Sequence, residues 1–381
     1  MRSALAGVDT ASGAAATPAQ QVVARDLDDI CDALRDEFSQ LAGTHLLITG
    51  GAGFLGHHLV QAALSWNRRS GLRPVRVTVL DSLARGMPKW LQRLKGDDAL
   101  TLVRRDVTAP PIGDFQYIIH AASIASPTFY RRHPIETMDA NVNGLRTLLD
   151  YARGQLERGR PFSALLFLSS SEIYGDPPPE HLPTEETYRG NVSCTGPRAC
   201  YDEAKRYGET LCVNFARHAG VPATVARPFN NYGPGLKITD RRALPDFARD
   251  VLAGRDIAML SDGSPRRTFC YVADAVIGYY KVLVRGRPGE PYNIGVEGPE
   301  VSVRELAEMV AAEARDLFGY RGRVVQHQAP DGDYLADNPI RRRPAIAKAQ
   351  SELGYHPMVP LREGLRRSLI WYAEHREASE G

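Results

Sequence analysis

The chain has 381 residues and a mass of 41.9 kDa, with 43% hydrophobic and 24% charged residues. That is the composition of a globular chain of two or three folding units, or of one elaborated α/β domain, and it excludes a disordered or fibrous protein. Against 45 acidic residues stand 47 basic ones, a formal charge of +2, so no global field recruits nucleic acid or an anionic membrane.

Residues 1–25 are rich in Ala, Gly, Thr and Ser, and their composition predicts a disordered extension. They carry no apolar stretch of the secretory type, and nowhere does the chain approach the roughly 18–20 apolar residues of a membrane span. Over 26–43, Leu27, Ile30, Leu34, Phe38 and Leu41 recur in steps of three and four. That is one helix face, which either docks on the main body or a partner subunit or is the buried stripe of a solvated helix. Strands follow at His45–Thr49, 75–80, 100–103, Tyr117–His120 and Ala164–Leu168, with helices at 54–66, about 134–156 and 200–218. Alternating strands and helices predict an α/β fold with a parallel sheet covered on both faces. The polar stretch 67–74 reads as a loop insertion. After Arg227, Pro, Gly and Asn punctuate shorter elements, with helices near 243–253, 273–284, 302–317 and 361–374. The division expected is a doubly wound domain over 44–227 and a smaller C-terminal lobe over 228–381, with possible returns to the sheet. Five cysteines (Cys31, Cys194, Cys200, Cys212, Cys270) form no CxxC pair, which fits reduced thiols in a cytoplasm. No close-set Cys and His have ligand spacing, so no metal is expected.

The first strand runs into Gly50, Gly53 and Gly56, with Phe54 and Leu55 opening the next helix. The first glycine permits a tight turn, the second a close approach of backbone to a pyrophosphate, and the third close packing of helix on strand. The helix terminus then offers free N–H groups to the phosphates. This context on both sides makes the triplet a dinucleotide fingerprint of the Rossmann type. Asp81 ends the second strand, where an acid bonds the adenosine ribose, and it favours NAD over NADP; Arg85 is placed to accommodate a 2′-phosphate instead. Asp106 reads as an adenine contact or as a surface turn acid.

Tyr201 and Lys205 lie four apart at a helix start and share one face. An ammonium beside a phenol lowers its pKa and makes it a proton acceptor for a hydroxyl losing hydride. The strand Ala164–Leu168 leads into Ser169, Ser170, Ser171 and Glu172, at the edge where open α/β sheets bind ligands. A serine here shares a proton with Tyr201 or merely forms a turn. The Glu172 carboxylate is costly at such an edge unless paired.

Together the glycine triplet, His120-Ala121-Ala122, the Ser169–Ser171 run with Glu172, Tyr201/Lys205 and the stretch from Arg227 through Asn230 to Pro234 resemble the extended short-chain dehydrogenase/reductase family of NAD-dependent nucleotide-sugar epimerases and dehydratases. Within it, the segments 169–177, 196–206 and 337–344 are similar to UDP-glucuronate decarboxylases, which make UDP-xylose. The resemblance implies a tightly bound NAD regenerated each turn, Ser170 as the catalytic hydroxyl, Tyr201 as base and Lys205 as its partner. It further implies Glu172 as the decarboxylase glutamate and Arg342 beside the sugar carboxylate and the reprotonation step. Tyr130 matches a substrate position and Arg267 the phosphate ligand; Asn230 and Arg242 match the same phosphate site less fully, and each of these three is otherwise a structural loop residue. Ile124 and Phe129 replace a proline and an asparagine of the family's loop beside the glucuronate, which bears on substrate fit. A serine before Glu172, where 4,6-dehydratases carry an Asp-Glu pair and 4-epimerases generally lack the glutamate, selects decarboxylation over those two alternatives. A non-catalytic NAD-binding regulator would be expected to lose Tyr201 or Lys205. The resemblance also implies a homodimer through the helices near 134–156 and 200–218.

Overall fold

The computed structural model describes residues 15–327 and 338–376; the expected disorder of residues 1–14, and Asp337, lie outside them. Seven strands make the central sheet: β1 (His45–Thr49), β2 (Arg76–Asp81), β3 (Leu100–Arg104), β4 (Tyr117–His120), β5 (Ala164–Leu168), β6 (Ala223–Pro228) and a seventh, Pro291–Ile294. Every pairing is parallel, in the order seventh–β6–β5–β4–β1–β2–β3. β4 and β5 are buried along their whole length, as a sheet covered on both faces requires. The order reverses between β1 and β4, so the crevice outside their carboxyl ends is where a ligand binds. The seventh strand comes from the C-terminal segment and pairs with β6, so the chain beyond Arg227 is partly built into the sheet.

Two expected boundaries move. The first helix, α1 (Pro18–Ala33), starts inside the stretch expected to be disordered, because Thr17 and Gln20 form a capping box and Pro18 suits the first helical turn. Helix α2 (Arg35–Leu41) follows after a break at Leu34, and the stripe Leu27, Ile30, Leu34, Phe38 and Leu41 is buried throughout. Each such side chain contributes roughly 1.5–3 kcal/mol on leaving water, which offsets the cost of ordering the segment. The stripe docks on this chain's own body: α1 lies against Leu361–Glu374, Val272–Arg285 and α3 (Phe54–Ser70). Helix α3 runs through Ser70, so Asn67 belongs to its last turn and not to a loop insertion; its side-chain amide bonds both N–H and C=O of Val75 at 2.8 Å. A left-handed Gly71 (φ 64°) ends the helix.

The helix expected over 134–156 is three pieces, Pro134–Met138, a π-turn at Asp139–Gly144 and Leu145–Glu157. The smaller lobe adds short ladders, among them Asn231–Tyr232 with Cys270–Tyr271, and Arg266–Arg267 between Val301–Ser302 and Arg341–Arg342. Among the described residues no helix is long and apolar enough to cross a membrane, and no group of His, Cys, Asp and Glu is suited to a metal.

Candidate active site

The glycine loop sits at the sheet's point of reversal. Gly50 adopts φ 69°, donates to the Leu80 carbonyl (2.9 Å), and a Cβ there would stand 2.5 Å from the Ala122 Cα. Only glycine meets both conditions. Gly53 precedes α3, whose first turn, with Phe54 and Leu55 half-buried, has no side-chain cap. Its N–H groups are therefore open to an anion. A Cβ on Gly56 would lie 2.4 Å from the Gly51 carbonyl, so the loop folds directly onto the helix. The Asp81 carboxylate accepts the Ala52 N–H (3.0 Å) and the Leu83 N–H (2.8 Å), which fixes it on the rim of that loop. Cradle, open helix end and oriented acid fit a dinucleotide. Asp106 is exposed and accepts the Thr108 N–H and hydroxyl at 2.9 and 2.7 Å, closing its own turn. Arg85 pairs with Asp240 (3.4 Å) and lies over the Phe129 ring (4.9 Å).

Beneath the crevice, His120 is buried and neutral. Its Nε2–H donates to the Ala140 carbonyl in the π-turn (3.1 Å), and its Nδ1 accepts from the Thr49 hydroxyl (2.8 Å). Burial first, and the nearby Lys205 second, hold its pKa down at about 3. The motif residue is thus a structural strut between β1 and the π-turn.

Tyr201 and Lys205 stand in the first turns of Ala199–Ala219, facing the end of β5. The Ser170 side chain lies beside the Tyr201 hydroxyl and favours its phenolate, and the Tyr201 ring stacks on Tyr130 at 5.1 Å and 11°. Lys205 Nζ donates to the Leu168 carbonyl (2.7 Å) and lies 5.6 Å from the Tyr201 ring centroid. Burial drives the two apart: the phenol rises to about 12 despite Ser170, and the ammonium falls to about 7. The expected lowering of the phenol pKa by the lysine is therefore not met in the protein alone. The amine is anchored on a carbonyl and against the Phe167 ring, and desolvation outweighs it.

Ser170 caps the short turn Ser171–Tyr174 by accepting the Glu172 N–H (3.2 Å), which turns Glu172 into the crevice. One carboxylate oxygen of Glu172 takes Arg198 (2.6 Å) and Arg342 (2.5 Å) together. Burial would raise its pKa, but Arg342 and Arg198 outweigh it and hold the carboxyl at about 2. Glu172 is a fixed anion, not a proton donor near neutrality. Arg198 precedes the Tyr201 helix, lies 5.9 Å over the Tyr130 ring and escaped the sequence reading. Its position three residues before Tyr201, one helical turn away on the same face, was the available signal.

The remaining expected residues divide. Asn230, at φ 39°, donates to the Thr268 carbonyl (2.9 Å) and accepts from Arg342 (3.3 Å), so it orients that guanidinium. Arg267 donates to the carbonyls of Arg266, Ile340 and Pro339, bracing the segment that carries Arg342. Burial, with Arg342 beside it, lowers its pKa to about 9. Arg242 pairs with Asp240 (3.0 Å) and donates to the Ala125 carbonyl (3.0 Å) in the loop of Ile124 and Phe129. Behind the floor, Glu209 accepts the Ser169 hydroxyl (2.5 Å) and a two-point grip from Arg227, which continues to Tyr174 and Asn293. No local spacing announces this network. Among the described residues, Tyr130 Oη, Arg342 Nε and Thr268 Oγ1 are buried with no hydrogen-bond partner, a concentration that marks a polar ligand's place.

The profile described as the NAD dependent epimerase/dehydratase family matches residues 46–295. UDP-glucuronic acid decarboxylase 3 of Arabidopsis thaliana is 37% identical over 320 residues, 84% of this chain and 86% of that protein. UDP-glucuronic acid decarboxylase 1 of Xenopus tropicalis is 35% identical over 335 residues, 87% of this chain and 73% of that one. A dTDP-glucose 4,6-dehydratase of Streptomyces venezuelae, solved with NAD and TYD bound, superposes with a TM-score of 0.74 at 27% identity, covering 88% of this chain and 99% of the other.

Proposed function

Because this chain belongs to the NAD dependent epimerase/dehydratase family, we propose that it is a UDP-glucuronate decarboxylase forming UDP-xylose. The observation that carries the reading is the Glu172 anion gripped by Arg198 and Arg342 beside the Ser170–Tyr201 pair. Two guanidiniums share Glu172, with Asp202 at 3.7 Å from Arg198, and form a buried cationic cluster whose geometry suits a second carboxylate, that of a uronic acid.

Gly50, Gly53, Phe54, Leu55, Gly56, Asp81 and Asp106, with Tyr201 and Lys205, hold the cofactor. NAD, when bound, would supply positive charge together with a hydride acceptor and donor, which would let sugar C4 pass through a ketone. Tyr201, as the phenolate that the cofactor's positive charge would favour, is placed beside Ser170 to receive the C4 hydroxyl proton. As CO₂ leaves, the electron pair stays on C5 and spreads onto the C4 oxygen, which the Ser170 and Tyr201 hydroxyls steady. Arg342 and Arg198 reach the substrate carboxylate while still bonded to Glu172, which stays an anion and orients a water; that water protonates C5, and the hydroxide left behind takes a proton from solvent. Tyr130 and Arg242 border the sugar, while Asn230 and Arg267 act on it through Arg342. Reduction of C4 completes a cycle with no net oxidation. We place the enzyme in the cytoplasm as a homodimer; exposed Ile135, Met138 and Tyr207 on Pro134–Met138 and Ala199–Ala219 support pairing through those helices.

The test is product analysis by mass and NMR with UDP-glucuronate and no added NAD. CO₂ with UDP-xylose is expected. UDP-galacturonate without gas makes the protein a 4-epimerase, and an untouched uronate overturns catalysis.

A further inference from the structure

Residues 18–41 precede the region matched by the family profile, yet they reach into the lobe that carries Arg342. Asp26 on α1 is fully buried. One of its oxygens accepts the Tyr271 hydroxyl (2.6 Å) and the other takes Arg367 (2.6 Å). Tyr271 ends the strand Cys270–Tyr271, paired in register with Asn231–Tyr232, and its ring meets Tyr232 edge-on at 5.5 Å. Cys270 N–H donates to the carbonyl of Asn230, the residue whose side chain holds Arg342 over Glu172. Below, α2 buries Glu37 between Lys281 (3.1 Å) and Arg285 (2.6 Å), fastening the helix Val272–Arg285 that follows Tyr271. A buried charge with two partners is a poorer source of stability than apolar packing, but it is directional, so it fixes a register.

We infer that Asp26 is a positioning residue: through Tyr271 it sets the ladder that places Asn230, and thereby the guanidinium of Arg342. The extension is in this reading a structural member of the substrate site. The inference rests on the decarboxylase reading, and wild-type turnover of UDP-glucuronate in the same experiment checks that reading separately.

The test is a double-mutant cycle of Asp26→Asn with Asn230→Ala, assayed by CO₂ release well below each variant's melting temperature, with active sites counted by bound NAD. Each single change lowers kcat/KM about tenfold at unchanged NAD content, and the pair together lowers it about tenfold, because both act on one guanidinium. Tyr271→Phe, which removes only the hydroxyl, follows Asp26→Asn and serves if the latter does not fold. An unchanged kcat/KM in Tyr271→Phe, or losses that multiply to about a hundredfold in the double variant, overturns the inference.

Discussion

Replacing Glu172 by Gln removes the one anion between Arg198 and Arg342, whose side chains are 8% and 10% exposed. Breaking a buried ion pair costs about 3–5 kcal/mol, and an opening toward the crevice argues for the low end, about 3 kcal/mol. The carboxyl's displacement from an ordinary 4.5 to about 2 gives the same order. Since the folded pKa is depressed, this stabilisation is present above pH 4.5 and disappears as pH falls toward 2. Denaturant unfolding at pH 7 should therefore show the variant weaker by about 3 kcal/mol, and the gap should close in acid. The substrate's carboxylate can replace the missing charge, whereas UDP-xylose has none. Calorimetry should show the affinity ratio of UDP-glucuronate to UDP-xylose rising about tenfold in Glu172→Gln. A variant within about 0.5 kcal/mol of wild type, or an unchanged affinity ratio, refutes the idea that the two arginines await a carboxylate.

Tyr201→Phe keeps the stack on Tyr130 but removes the proton acceptor, so CO₂ release should fall by about 10³-fold or more at normal NAD content. Gly56→Ala drives a Cβ to 2.4 Å from the Gly51 carbonyl; the purified variant should lose bound NAD, read from its absorbance after denaturation, before it loses helicity. Lys205 has an ordinary pKa of 10.5 and a folded one near 7, so the unfolded chain binds the extra proton between them and stability rises with pH there. Wild type should gain about 2 kcal/mol relative to Lys205→Met between pH 7 and 9, measured by urea unfolding.

What the sequence revealed was whatever a short stretch of chain settles by itself. The glycine triplet, the Tyr201/Lys205 pair and the apolar stripe from Leu27 to Leu41 are local spacings, and each stands where its period puts it. The break at Leu34 and the start at Pro18 depend on capping detail that composition hides. Long-range pairing was opaque. Arg342 meets Glu172 across 170 residues and Tyr271 meets Asp26 across 245, and no periodicity links them. Resemblance supplied Arg342 but not the role of Arg198, which shares its partner. The pKa of Tyr201 is not legible from spacing, because desolvation is a property of the folded interior and not of a neighbour four residues away.

The two-residue ladder between Arg266–Arg267 and Arg341–Arg342 holds a further lesson. Alternation along a strand sends Arg341 outward to Glu300 and Arg342 inward to Glu172. Slippage by one position would swap the faces. Yet Arg343 comes next, so a mis-threaded segment would still present a cation to the crevice. Correct threading must then be read from contacts other than the ladder's own pairing, by the Arg267 side chain gripping the carbonyls of Pro339 and Ile340 and by Thr184 N–H on the Arg343 carbonyl at 2.8 Å. Evolution or design that trims those neutral backbone contacts, while leaving all three arginines intact, would yield a protein with the right charge in the wrong place.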